Sequence, residues 1–187
     1  MGLSIHYSGV IKNVKDIDNL TNEVADICES LKWSYNIIDP KDDPIRGISF
    51  APQECEPLFL TFLPDGRICS LVSFILKEMY PGEPFEPQYT VSTKTQYAGM
   101  DAHIAVIKLL KYLKEKYFSS FDLTDEGYYW ETDDLDKLRS QFSAYEMAIE
   151  VVVSALENIE IIPGEPGESL ADRIEKILQE KFKGRND

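Results

Sequence analysis

The stretch LFLTFLPDGRICSLVSFIL, residues 58–76, decides the fold at the level of sequence. Residues 58–63 are almost wholly apolar and end at the sequence PDG, residues 64–66, which is typical of a tight turn. The mostly apolar residues 67–76 then predict a return strand. Because strands that follow one another through short turns pair antiparallel, this stretch predicts a β-hairpin within an antiparallel sheet.

Strand-like and helix-like segments lie on both sides of this hairpin. Alternation of apolar and polar side chains, or a short apolar run bounded by turn residues, predicts a strand, whereas apolar residues at three- and four-residue steps predict a helix. The further predicted strands are residues 3–8, 33–37, 45–50, 89–97 and 127–132, and the predicted helices are residues 14–31, 102–118, 134–156 and 169–182.

The predicted elements follow the order β-α-β-β-β-β-β-α-β-α-α. Several strands in succession indicate an antiparallel sheet rather than a doubly wound parallel one. We therefore expect a single α+β domain in which about four helices pack on one face of a mainly antiparallel sheet of six to seven strands. Residues 163–167 are rich in Pro and Gly and form a connector. They divide the α+β domain, residues 1–162, from a C-terminal connector and helix, residues 163–187, which we expect to pack on the same domain.

The charge limits the classes of partner. The chain of 187 residues carries 33 acidic and 19 basic side chains, which gives a formal net charge of −14. A field of this sign repels phosphate backbones and anionic membrane surfaces, so we expect neither nucleic acid nor a membrane as a partner. A basic protein is the partner that the charge favours.

The sequence contains no motif for a cofactor or for targeting. No phosphate-binding loop, dinucleotide-binding glycine pattern or zinc motif occurs, so we expect no cofactor and no metal. The N-terminal residues do not resemble a secretory signal, and no apolar run approaches the roughly 20 residues that span a bilayer. The three cysteines, Cys28, Cys55 and Cys69, lack a metal-like spacing. These features predict a cytoplasmic protein with reduced thiols.

Residues 122–136 depart most clearly from ordinary globular composition. Seven carboxylates and no Lys or Arg surround the triplet YYW, residues 128–130, and something must offset the repulsion between the like charges. Three explanations stay open: an acidic turn before a helix, a calcium-binding loop, and a surface for a basic partner. The calcium loop matches poorly, because Asp133 stands where a bidentate Glu is required. The carboxylates are Asp122, Asp125, Glu126, Glu131, Asp133, Asp134 and Asp136.

A strand over residues 127–132 would separate the three aromatic side chains of this segment. Tyr128 and Trp130 would point to one face of the sheet and Tyr129 to the other. We expect Trp130 to lie in the core and Tyr129 to face outward as a recognition residue.

The polar face of the strand before the second predicted helix offers a place for a small molecule. Ser92, Lys94 and Gln96 share this face. A groove forms if the face curves towards His6, Asn36 and Arg46; otherwise it is a solvated sheet surface.

Two functions from different classes fit these features. The favoured one is a non-catalytic protein-interaction module that docks a basic partner through the acidic-aromatic surface. The alternative is a hydrolase-like enzyme for a small molecule, with or without a metal ion. In that enzyme Glu126 or Glu131 is the acid/base carboxylate, and His6 or Lys94 assists from across the sheet. The candidate binding residues are Asp122, Asp125, Glu126, Tyr128, Tyr129, Glu131, Lys94, Gln96 and His6.

Overall fold

A computed structural model describes residues 3–39, 45–80, 82, 86–157, 172–177 and 179. The contacts divide the chain into two compact units, Met1–Phe142 and Ser143–Asp187. The boundary predicted at residue 163 lies outside the described residues. Of the predicted terminal helix, residues 172–177 are described and are helical.

The described elements follow the order β-α-β-β-β-α-β-α-β-α-α. The strands are β1 (Ser4–Ile11), β2 (Ser34–Ile38), β3 (Arg46–Ala51), β4 (Leu58–Phe62), β5 (Val91–Lys94) and β6 (Phe118–Asp125). The helices are α1 (Ile17–Leu31), α2 (Leu71–Met79), α3 (Gly99–Tyr117), α4 (Tyr129–Thr132) and α5 (Leu135–Glu157), with a 3-10 turn at Val14–Asp16 before α1.

The strands form two three-stranded antiparallel sheets rather than one large sheet. The strand order is β5-β1-β6 in sheet A and β2-β3-β4 in sheet B. The predicted α+β class with antiparallel sheets is thus confirmed, whereas the single sheet of six to seven strands and the count of four helices do not match. Isolated bridges join Val10 to Arg67 and Phe62 to Ile68. Pairing stops there because the chain turns into α2.

The return strand predicted at residues 67–76 is wrong, because most of this segment is helical. Only its first two residues make strand-like bridges before α2 begins. In α2, Phe74 is buried while Val72 and Ile75 are exposed, which is the one-sided pattern of a surface helix. A short and mostly apolar run is ambiguous between a strand and a helix, so we predicted a strand from the turn that precedes it.

The last strand lies earlier in the chain than residues 127–132. β6 continues directly from α3 and pairs with β1, whereas residues 126–128 form a turn and α4 follows. Phe121 and Asp125 both point into the protein and are buried. A carboxylate at an inward position hides the alternation that would have revealed this strand.

A buried tyrosine joins the two sheets. The Tyr7 hydroxyl in β1 donates a hydrogen bond to the carbonyl of Phe59 in β4 at 3.0 Å and accepts one from the N–H of Phe59 at 2.9 Å. Tyr7 is 1% exposed, and burial raises the pKa of its hydroxyl above the ordinary value. Because β1 is the central strand of sheet A, this pair of bonds fixes sheet A against sheet B.

The long helices of the first unit pack on different sheets. α1 contacts β2 and β3 of sheet B, and α3 contacts β6 of sheet A. Glu23 of α1 links the two helices by accepting hydrogen bonds from Tyr112, Lys116 and Tyr117 of α3. Among the described helices, none has the length and apolar character needed to cross a bilayer.

Candidate functional site

The outward-pointing side of sheet A gathers polar side chains from all three strands. His6 of β1 lies between Ser92 of β5 and Thr124 of β6 in the strand register. Residues opposite one another in antiparallel strands project to the same face, with Cβ atoms about 5 Å apart. We name this surface the outer face; it consists of Ser4, His6, Ser8, Ser92, Lys94, Asp122 and Thr124.

His6 contacts a hydroxyl on one side and faces a carboxylate on the other. Its Nδ1 lies 2.6 Å from Ser92 Oγ, and its Nε2 lies 3.8 Å from Glu126 Oε1. Glu126 is oriented because its Oε2 accepts the backbone N–H of Ser4 at 2.7 Å. A carboxylate that faces Nε2 favours the tautomer with its proton on that nitrogen, and the lone pair of Nδ1 then points to the serine hydroxyl.

These groups are accessible to solvent. The side chains of His6 and Glu126 are 38% and 44% exposed, and Ser92 is exposed. Lys94 shares the outer face and lies two residues after Ser92, about 7 Å further along the strand. Its side chain is exposed. The outer face therefore offers a hydroxyl, a base, a carboxylate and a cation to one ligand.

The fold thus makes neighbours of three predicted site residues, His6, Lys94 and Glu126, from three distant parts of the sequence. Asp122 also lies on the outer face, exposed and opposite Ser8. Ser92 contacts His6 most closely but was not selected from the sequence. The polar alternation along β5 is the signal that identifies its face, but only the strand register supplies its partner.

Gln96 does not belong to the outer face. It is buried, and its Oε1 accepts the N–H of Leu3 at 2.8 Å. β5 ends at Lys94 and residues 96–98 form a turn, so the alternation that predicted a shared face for Gln96 and Lys94 no longer applies. Gln96 has a structural role in holding the N-terminal end of β1.

Arg46 lines a separate shallow cleft of about 260 Å³ beside α1 and β2. Its guanidinium donates to Asp18 at 3.4 Å and to the carbonyl of Val14 at 3.0 Å. No outer-face residue lines this cleft, so it is not a groove shared by Arg46 and His6. The Thr21 hydroxyl at the cleft is buried and has no hydrogen-bond partner among the described residues.

Asp125 lies inside the protein, although the sequence predicted it on a binding surface. It is 1% exposed, and its Oδ2 lies 3.2 Å from Nε2 of the fully buried His103 in α3. Its carboxylate also accepts the backbone N–H groups of Gly127 at 2.7 Å, Tyr129 at 2.8 Å and Trp130 at 3.0 Å. The prediction is wrong because this carboxylate finds all its partners in the fold. Asp125 holds the turn after β6 against α3.

The imidazole of His103 has a hydrogen-bond partner at each ring nitrogen. Thr95 Oγ1 lies 2.7 Å from His103 Nδ1 and 3.4 Å from the carbonyl oxygen of Leu3. The Thr95 hydroxyl is therefore placed between the imidazole and the backbone of Leu3. Thr95, His103 and Asp125 are each at most 1% exposed, so a substrate cannot reach them. Their role is structural.

The surroundings of Asp125 lower the pKa of its carboxyl. Burial alone would raise this pKa, but the hydrogen bond and charge of His103 and the N–H groups of Trp130 and Gly127 outweigh it. The folded-state pKa therefore lies below the value of an unfolded Asp, about 3.9. The ionised carboxylate adds stability above the unfolded pKa, and this contribution is lost as the pH falls through the folded-state pKa.

This linkage predicts that the free energy of unfolding depends less on pH in the acid range when residue 125 cannot ionise. We expect the free energy of unfolding of Asp125→Asn to fall less steeply than that of the wild type below about pH 4. Urea unfolding in a series of buffers measures this slope, and Asp122→Asn on the exposed side of the same strand is the control. Equal slopes for Asp125→Asn and the wild type would contradict the assignment.

The three aromatic side chains of residues 128–130 differ from the prediction in which of them are buried and which are exposed. Tyr129 is only 5% exposed, so the predicted outward recognition residue is wrong; it lies in α4 and not in a strand. Trp130 is half-buried against Phe121, with a ring distance of 6.0 Å. Tyr128 is 46% exposed, and Lys137 Nζ lies 4.2 Å from its ring centre. Tyr128 alone of the three keeps a largely open ring.

Most carboxylates of the acidic segment have partners within the fold. Asp133 pairs with Lys111 at 2.7 Å, and Asp134 caps α5 by accepting the N–H groups of residues 136 and 137. An acidic turn before a helix therefore accounts for much of the negative charge of this segment. Asp133, the carboxylate that would close a calcium-binding loop, is paired with Lys111 instead. Within the described residues, the side chains of Asp122 and Glu131 have neither an ion pair nor a hydrogen bond.

Comparisons with known proteins found no match to this chain among protein-family models, curated proteins or solved structures.

Proposed function

We propose that this protein is an interaction module that binds a basic, amphipathic helical segment of another protein. The surface for this partner is the exposed side of α2. The acidic-aromatic segment is the weaker choice, because Asp125 and Tyr129 are buried and most of its other carboxylates are engaged within the fold.

The observation that carries this proposal is a row of large apolar side chains that α2 leaves exposed. Their spacing of three and four residues places them on one side of the helix, and their exposures range from 43% to 64%. Exposed apolar patches of a few hundred Å² on soluble monomers are often functional. We name this surface the α2 stripe; it consists of Val72, Ile75, Leu76, Met79 and Tyr80.

The opposite side of α2 anchors the helix firmly enough to present the stripe. Phe74 packs with Ile45 and Cys69 in a buried cluster, and Leu71 contacts the same cluster. The N-terminal turn is tied down by Gln88, whose N–H donates to Ser73 Oγ at 2.9 Å and whose carbonyl accepts from Ser70 N–H at 2.7 Å. An anchored helix with an open apolar row is the usual receptor for a partner helix, whose own stripe packs along it.

Charge selects a basic partner over a second copy of the chain. The net charge of −14 makes two copies repel, whereas it steers a cationic segment towards the surface. Two exposed carboxylates lie near α2. Asp39 follows Ile38, which packs against the buried cluster that contains Phe74. Glu86 lies two residues before Gln88, whose carbonyl accepts the N–H of Ser70 at the start of α2. The cation next to the N-terminal end of α2, Arg67, is already paired with Asp65 at 2.6 Å.

A matched pair of substitutions tests this proposal. The probe is a synthetic amphipathic helix of leucine and lysine with a fluorescent label, and its affinity is measured by anisotropy. Ile75→Asp in the stripe and Leu31→Asp at the end of α1 replace side chains that are 49% and 50% exposed, and each adds one negative charge. We expect Ile75→Asp to weaken binding about tenfold or more, since an apolar contact is lost. Leu31→Asp leaves it unchanged or slightly stronger.

Three outcomes would overturn the proposal. The first is equal binding of the probe to both variants, which would indicate attraction by net charge alone. The second is equal binding of a leucine–glutamate version of the probe. The third is self-association of the wild-type protein in sedimentation that Ile75→Asp abolishes, because the stripe would then be a homodimer interface. Thermal unfolding of both variants shows that they remain folded.

We place this module in the cytoplasm, without nucleic acid, membrane, cofactor or metal as a partner. Cys28, Cys55 and Cys69 are free thiols, and burial raises the pKa of Cys28 and Cys55 to about 11, which keeps them protonated and unreactive. The acidic charge disfavours phosphate-rich partners. Docking on the α2 stripe requires only the side chains of α2.

A further inference from the structure

We propose that the outer face of sheet A is also an acyl-transfer site at which Ser92 attacks small carboxylic esters. This activity is independent of the docking surface on α2. It rests on the contact between Ser92 and His6, on the carboxylate of Glu126 on the other side of the imidazole, and on the position of Lys94.

His6 is placed to act as the base for Ser92. The distance of 2.6 Å between Ser92 Oγ and His6 Nδ1 is that of a direct hydrogen bond. A serine hydroxyl is a weak nucleophile by itself and attacks only when a neighbouring base takes its proton. Ser92 and His6 are opposite each other in paired strands, so the backbone and not a flexible loop sets their separation. A site on rigid strands holds such a geometry well.

Glu126 is a positioning residue that acts through His6. Its Oε1 lies 3.8 Å from Nε2, one small side-chain rotation from a hydrogen bond, and contacts of this kind often tighten only when substrate binds. The backbone N–H of Ser4 fixes the other carboxylate oxygen at 2.7 Å. The carboxylate keeps the proton of the neutral ring on Nε2 and stabilises the imidazolium that forms during attack.

Lys94 supplies the positive charge that the developing oxyanion needs. It lies on the same face as Ser92, two positions along β5, and we assign it to the carbonyl oxygen of an ester bound over the hydroxyl. Ser92, Lys94 and Thr124 are all exposed, so these described neighbours of the hydroxyl do not enclose an acyl group. Small esters with a good leaving alcohol are therefore the substrate class.

The reaction proceeds in two balanced halves. In the first, a bond forms between Ser92 Oγ and the acyl carbon, the bond from that carbon to the leaving alcohol breaks, and the hydroxyl proton passes through His6 Nδ1 to the alcohol. In the second, water gives a proton to His6 and attacks the acyl carbon, and the proton returns to Ser92 Oγ as the carboxylic acid leaves. The net change is ester plus water to acid plus alcohol.

Hydrolysis of p-nitrophenyl acetate by the full-length protein tests the site. We expect Ser92→Ala to lose the activity above background, and His6→Gln to lose about 100-fold or more of kcat. Lys94→Ala loses about tenfold. Glu126→Gln lowers kcat and leaves KM unchanged, since it acts on the base and not on substrate binding. Ser30→Ala, at an exposed serine of α1 outside the outer face, is the control and keeps the wild-type rate.

A covalent probe locates the nucleophile independently of the rate. A fluorophosphonate should add one adduct to the wild-type protein, mapped to Ser92 by mass spectrometry, and none to Ser92→Ala or His6→Gln. The proposal is overturned if the wild-type protein does not hydrolyse the ester, if Ser92→Ala hydrolyses it normally, or if the adduct maps to another residue such as Cys55 or Lys94. These readouts do not involve α2, so their failure leaves the docking proposal in place.

Discussion

Asp125→Ala is expected to lower the free energy of unfolding by about 3–5 kcal/mol, the largest loss for any single side chain of the acidic segment. The substitution leaves His103 buried without its carboxylate, and it removes the acceptor of three backbone N–H groups at residues 127, 129 and 130. Buried donors that lose their partner keep the full cost of desolvation. Urea denaturation followed by circular dichroism measures the loss.

The packing around Asp125 explains why the structure cannot relax to recover this energy. Gly127 approaches so closely that a Cβ on it would lie 3.0 Å from His103 Nε2 and 2.7 Å from Leu138 Cδ1. Water has little room to replace the missing carboxylate in such a site. Asp122→Ala serves as the control, because Asp122 lies in the same strand but is exposed, and we expect a change within about 0.5 kcal/mol. A loss below about 1 kcal/mol for Asp125→Ala would contradict a structural role for the pair.

Gly47→Ala is expected to destabilise the protein by roughly 4 kcal/mol or more, enough to prevent folding in a marginally stable domain. A Cβ at this position would lie 2.0 Å from the carbonyl oxygen of Leu60, well inside the closest approach of real atoms. The clash is with backbone, and β3 is the central strand of sheet B, held by β2 on one side and β4 on the other. The strand cannot move away without breaking a ladder of hydrogen bonds.

A second glycine separates the clash from the conformational strain. Gly47 has φ of 144° and Gly99 has φ of 81°, and other residues rarely adopt either value. A Cβ on Gly99 would meet no atom within 4 Å. Gly99→Ala therefore measures strain alone, and we expect it to cost about 1–2 kcal/mol. Thermal unfolding, together with the soluble yield of each variant, compares the two. Equal costs at both positions would show that the contact with Leu60 is relieved by a small shift.

Much of the fold followed from local patterns. The helical periodicity predicted α1, α3 and α5 close to their observed positions, because an amphipathic stripe repeats over several turns. The hairpin signal correctly ended β4 near residue 63. The segment after it was assigned to a strand, because residues 67–76 are mostly apolar and follow a turn that is typical of a hairpin. Only the tertiary packing shows that this segment is a helix: the side of α2 that carries Phe74 is buried, and the side that carries Ile75 is exposed.

The candidate sites were less predictable than the fold. Asp125 was predicted on a binding surface, because it is one of seven carboxylates in a short stretch of sequence. His103 lies in line with Val106 and Leu110 on the apolar side of α3, which is a sign of burial. The pairing of His103 with a carboxylate 22 residues away depends on how α3 packs on β6. A local pattern carries no information about that packing.

The sequence by itself determined the α+β class, the antiparallel pairing, the long helices and the acidic charge, because each depends on composition or on short-range periodicity. The tertiary structure alone decided which carboxylates are neutralised, that His6 meets Ser92 and Glu126, and that α2 leaves one apolar side open. Those results depend on strand register and on the packing of helices against sheets. Both arise from contacts between residues that lie far apart in the chain, and such contacts leave no periodic signal in the sequence.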